Sequence, residues 1–183
     1  MRKRALAIKR AELQQCLKKH IEDTYNKEYR IEAMILLYHA ISYFMHTTFV
    51  GIAYTIKTIL LKTNSEEQEL SDSYRRIAEA HFGTLADVLF QMGVYTRELH
   101  DKLKKLQEFR SRLMHRFFTG KINKATYGKN YKLGMELYDR TLMISDKYPQ
   151  LFYTRLKSIM HTDMLIDALS ESTEKRQKNS NDK

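Results

Sequence analysis

The sequence has little that breaks or staples a chain. One proline and six glycines in 183 residues leave few interruptions, which favours long helices over a strand-rich fold. The single cysteine, Cys16, can form no internal disulfide and suits a reducing cytosol. It also leaves no cysteine pair for a zinc site. Seven histidines occur without an HxxxH or HExxH pair, so no metal is expected. No Walker loop, GxGxxG turn or serine-hydrolase elbow is present, which argues against an NTPase, a dinucleotide enzyme and a serine hydrolase. No cofactor is expected.

What is present is apolar enough to fold. Hydrophobic residues make up 43% of the chain, and its length fits one domain. We expect an all-α domain over 1–169 and a polar, disordered tail over 170–183, SESTEKRQKNSNDK. The formal charge is +10. It is concentrated in residues 1–20, with seven Lys/Arg against one acid, and in 100–132, with ten against two. Clustered positive charge suits a polyanion, because each neutralised phosphate releases counterions; the plain alternative is a solvated basic surface.

Two segments bear on membranes. The basic residues Arg2, Lys3, Arg4, Lys9 and Arg10 are interleaved with apolar ones and no apolar run follows, so this is not a secretory leader. Residues 33–56 contain no Asp, Glu, Lys or Arg and could span a bilayer by length. They also carry His39, Ser42, His46, Thr47, Thr48 and Thr55. We read them as the core helix of a cytoplasmic protein, with a membrane span as the lesser alternative.

Periodicity gives a single up-and-down bundle of about five to six major helices. They fall at 3–25, 28–62, 66–81 (capped by Ser65 and Gln68), 96–118, 124–146, and a last one starting at Pro149, with a short helix at 84–92 (capped by Thr84 and Asp87) between the third and fourth. Gly51 permits a bend or a close helix crossing. In 96–118 the stripe Leu99, Leu103, Leu106, Arg110, Leu113, Phe117 is the clearest in the chain.

Arg110 is the odd member of that stripe. A guanidinium keeps its charge, so burial there demands an acceptor. His115 lies five positions on, about 140° further round the helix at roughly 100° per residue. Ser111 lies on that side. A cation, a hydroxyl and an imidazole are parts for cutting RNA: the imidazole moves a proton and the cation stabilises the phosphorane-like transition state. Arg112, Arg116, Lys102 and Lys105 are candidates to hold flanking phosphates. The structural alternatives are an Arg110 ion pair with Glu32 or Glu79, and an ordinary surface role for His115 at a helix C-terminus. His39 and His46 share a helix face and read as core or interface histidines before metal ligands. Allowing four to six intervening residues, the Arg/His pattern recurs at Arg75/His81 and Arg155/His161. Only the central pair has a polar uncharged residue after the Arg, late in a strongly amphipathic helix.

The segment FRSRLMHRFF, with the preceding EAMILLYHAISYFM and HFGTLADVL, resembles the HEPN superfamily over roughly residues 30–120. Its usual motif is Arg-Asn-x-x-x-His, and Ser111 stands where Asn is commonest. The resemblance implies a helical bundle that forms a homodimer, with the two motifs facing one cleft. It further implies metal-independent endoribonuclease activity in a toxin–antitoxin or antiviral setting. Arg110 and His115 would be the catalytic pair, Ser111 the polar helper, RNA the substrate and a nucleotidyltransferase-like antitoxin a partner. Non-catalytic members of such a family bind nucleic acid or act as scaffolds, which is the alternative function.

Overall fold

The computed structural model describes the backbone of residues 2–60, 81–116 and 123–181, with side chains over 11–56, 81–115 and 123–158. The described chain is an all-α bundle of five helices. These are α1 (Arg2–Asn26), α2 (Arg30–Leu60), α3 (Phe82–Gln91), α4 (Arg97–Arg116) and α5 (Lys124–Asn181). No strand occurs among the described residues. The helix expected over 66–81, with its Ser65 and Gln68 cap, lies outside them.

Helix α2 is the hub, touching α1, α3, α4 and α5. It buries a broad arc, among them Ala33, Leu37, Ile41, Phe44, Met45, Phe49, Ile52 and Ala53, while His39, Tyr43, Val50 and Tyr54 form an exposed strip. So wide a buried arc accounts for most of the run without charge, and the exposed strip carries aromatic, imidazole and aliphatic side chains instead of charged ones. It is the one described helix with the length and apolarity to cross a membrane, and half of that window is buried inside the bundle.

Its most extensive partner is α5, and two glycines let the pair approach. A Cβ on Gly51 would sit 2.8 Å from Cγ of Pro149, and one on Gly134 would strike the side chain of Leu37. Gly51 thus serves a close crossing. Pro149 begins no new helix: it lies inside α5. A proline removes one helical hydrogen bond and crowds the preceding turn. Here its ring gains packing on Gly51 that a chain end would not provide. The helix also runs through residues 170–181, the stretch that composition assigns to a polar tail.

Two turns are closed by the same hydrogen-bond pattern. After α3, Gly93 takes φ 70°; its N–H donates to the Phe90 carbonyl (2.9 Å), and Val94 N–H donates to Leu89 (2.9 Å). This is a Schellman ending, with buried Val94 closing it. After α1, Glu28 takes the same left-handed position at φ 69°, with Tyr29 N–H donating to Thr24 O (3.2 Å). A β-carbon makes that conformation costly, so the break between α1 and α2 carries no glycine signal. The start of α3 also departs from expectation. His81 is the N-cap, with no side-chain cap bond, while Thr84 lies inside the helix and Asp87 turns to α4.

Helix α4 fixes the site. Its buried row is Leu99, Leu103, Leu106, Phe109 and Leu113. Arg110 is not in the middle of it. Phe109 fits the same alternation of three and four and wins the core, because burying an aromatic ring is favourable and burying a guanidinium is not. Arg110 falls at the edge of the row and is exposed.

Candidate functional site

Counting about 100° per residue, the surface of α4 divides into three strips. One flank faces α5. There Lys102 Nζ pairs with Glu98 (2.8 Å) and with Glu136 (2.6 Å), and Arg140 pairs with Glu98 (3.0 Å) and Glu136 (3.4 Å). Hydrogen bonds from Lys102, with Arg140 adding to them, hold both carboxyls below the usual glutamate range. The same two carboxylates raise the Lys102 pKa. Two cations and two anions cancel, so Lys102 is taken up in a closed network about half a turn away from Ser111.

The opposite flank faces α3 and the middle of α2. Here Arg110, Ser111 and Gln107 of α4 line an open groove with Tyr38, His39 and Ser42 of α2 and His81, Phe82 and Thr84 of α3. The groove encloses about 520 Å³ and its lining is mostly polar. The guanidinium of Arg110 lies over the Tyr38 ring, 4.4 Å from its centroid, and Phe82 stacks on Tyr38 at 4.3 Å. A cation over an aromatic face is held in place while its N–H groups remain open to an acceptor. Burial pushes the Tyr38 phenol up, and the Arg110 charge pulls it the other way. Neither Glu32 nor any other carboxylate among the described residues pairs with Arg110; Glu79 lies outside them. Among the described residues, the Tyr38 ring, and no carboxylate, is what holds this arginine.

Local sequence explains the groove's wall. Gly83 packs flat on Gln107: a Cβ there would lie 2.6 Å from both end atoms of that amide. Lys104 pairs with Asp87 (2.7 Å), which also meets His100 Nε2 (2.7 Å). These bonds, from Lys104 first and His100 second, lower the Asp87 pKa. They clamp α3 to α4 below the groove. The first turn of α3, its amides uncapped by His81, opens at the same place, and such a helix end is partially positive.

The third strip faces solvent. Lys105 and Arg112 are exposed and stand along one row, with Arg116 next in that row by helical spacing; the Arg116 side chain lies outside the described residues. Arg112 Nε donates to the Glu108 carbonyl at 3.4 Å. His115 is exposed and stands one turn beyond Ser111. It does not line the Arg110 groove, nor the shallower one of about 580 Å³ formed by Lys104, Gln107, Glu108, Ser111 and Arg112. The structure thus brings Arg110 and Ser111 together, sets His115 apart from their groove, and puts Lys102 on the far side.

Two imidazoles went unassigned to this site in the sequence. His39 and His81 both line the groove. The available signal was that each belongs to a segment carrying the HEPN resemblance, EAMILLYHAISYFM and HFGTLADVL. Among the described residues, no group of three or more His, Cys, Asp and Glu could hold a metal ion.

Comparison with known proteins finds no matching family model, no similar curated protein and no similar solved structure.

Proposed function

We propose that this chain is a metal-independent endoribonuclease of the HEPN type, acting on RNA in the cytoplasm as a homodimer. In the same reading it serves as a toxin or defence component, with a nucleotidyltransferase-like antitoxin as its partner. One observation carries the proposal: Arg110 is held by an aromatic ring at the rim of a solvent-open polar groove, with no carboxylate paired to it among the described residues. A positioned cation without an anionic partner is what a phosphodiester needs, both to bind and to stabilise charge as the bond breaks. Ser111 and Ser42 supply hydroxyls to orient the phosphate. The outer row of Lys105, Arg112 and Arg116 extends the positive surface along the strand's path. His115 is the proton carrier that the resemblance designates.

The test is cleavage of RNA in EDTA by purified protein. Wild type is expected to cut, and Arg110→Ala to lose that activity; equal cutting by both discards the proposal. His115→Ala reports whether the designated imidazole acts. Light scattering checks the homodimer.

A second reading has its own support. Because His115 lies outside the groove, the surface could hold RNA without cutting it. Salt-sensitive RNA binding with no cleavage, unchanged in His115→Ala, is the result that selects this non-catalytic scaffold.

A further inference from the structure

The groove around Arg110 contains two imidazoles of its own. His39 comes from the middle of α2 and His81 from the start of α3. Both are exposed, and both line the cavity that Arg110, Ser111 and Ser42 line. The elements holding them are fixed. Tyr38, next to His39, packs against Phe82, next to His81, at 4.3 Å, and Arg110 lies over the same Tyr38 ring. One buried aromatic pair therefore sets the positions of all three groups. A groove of about 520 Å³ accommodates a phosphodiester with the ribose on either side.

We propose that His39 and His81 are the proton-transfer pair of this site, acting on an RNA phosphodiester held by Arg110. The inference rests on the endoribonuclease reading given above and departs from it in the proton carriers. One imidazole, neutral, takes the proton from the ribose 2′-hydroxyl. The freed oxygen forms a bond to phosphorus, and the phosphorus bond to the 5′-oxygen breaks. The other imidazole, protonated, gives its proton to that departing oxygen. The products are a 2′,3′-cyclic phosphate end and a 5′-hydroxyl end. One proton is taken up and one is given, so the step needs no co-reactant; exchange with water restores the starting forms. Arg110 bears on the equatorial phosphate oxygens, where charge grows. Two titratable groups and one permanent cation on different elements, around one opening, are the minimum for this chemistry. His115, outside the opening, is not required for it.

The experiment uses the full chain with a fluorescent RNA oligonucleotide in EDTA. The variants are His39→Gln, His81→Gln and His115→Gln, with folding checked by circular dichroism. His39→Gln and His81→Gln are each expected to lower kcat by about 100-fold or more with little change in KM. Each should remove a different limb of a bell-shaped pH profile, and wild type should leave a 2′,3′-cyclic phosphate end. Cleavage at the wild-type rate in both groove variants overturns the inference. If cleavage is then lost in His115→Gln, the endoribonuclease reading stands and only the proton carriers were misassigned. If wild-type protein cuts no RNA, the reading and the inference fall together.

Discussion

The two flanks of α4 carry similar residues and use them in opposite ways. Toward α5, Lys102 and Arg140 are matched by Glu98 and Glu136, and the charges cancel within the protein. Toward α3, Arg110 has a ring beneath it and no carboxylate beside it among the described residues. Two identical formal charges on one helix therefore differ in availability. Net charge and local density, which drew attention to residues 100–132, cannot separate them. What separates them is the surroundings: Lys102 meets Glu98 one turn back on α4 and Glu136 on α5, while Arg110 meets an aromatic ring on α2.

The sharpest way to break this comparison is at two adjacent residues. Phe109 is fully buried, against Tyr127 at 6.0 Å, and Phe109→Ala is expected to cost about 3–5 kcal/mol in denaturant unfolding. Arg110→Ala should leave stability nearly unchanged while lowering RNA cleavage by about 100-fold or more. If Arg110→Ala unfolds the protein as Phe109→Ala does, the arginine is structural and the contrast between flanks disappears.

The balanced flank should show itself in acid. Glu98 and Glu136 have pKa values held below 4.5 by Lys102 and Arg140. Unfolded, they would bind protons at a higher pH than they do when folded. Their contribution to stability is thus present above about pH 4.5 and lost as the pH falls through their lowered values. The double variant Glu98→Gln, Glu136→Gln should have a flatter acid limb in thermal melts between pH 5 and about pH 3, and less sensitivity to salt there. An unchanged acid limb would show that the network contributes nothing to folding.

The smallest effects lie in RNA binding against salt. Lys105→Gln or Arg112→Gln should each reduce the slope of log affinity on log salt by about 1. Lys102→Gln should leave the slope unchanged, because its charge is already met. A loss of slope in Lys102→Gln would mean that RNA opens the ion-pair network.

Much of the fold was legible because it follows from periodicity. The helices at 3–25, 28–62, 84–92 and 96–118 match the described ones to within a few residues, and the buried leucines of α4 were all in the expected stripe. Arg110 was misplaced within that stripe because Leu106–Phe109–Leu113 and Leu106–Arg110–Leu113 are both allowed by a period of about 3.6. Only the preference for burying a ring over a cation decides between them. Pro149 was read as a helix start from a local rule, and contact with a distant glycine overrides it. The groove was illegible for a related reason. His39, His81 and Arg110 sit on three helices, and no spacing in one dimension reports that Tyr38 and Phe82 stack.

The contact between Gly51 and Pro149 has a mechanical consequence. Residues that ordinarily end helices meet in the interiors of two long ones, and neither helix ends. Where a proline loosens the hydrogen-bond ladder a helix can hinge, and here the ring at that point rests against the bare α-carbon of a glycine on another helix. Any side chain installed at 51 meets that ring at 2.8 Å and becomes a wedge between the two rods at the one place where the ladder of α5 lacks a rung.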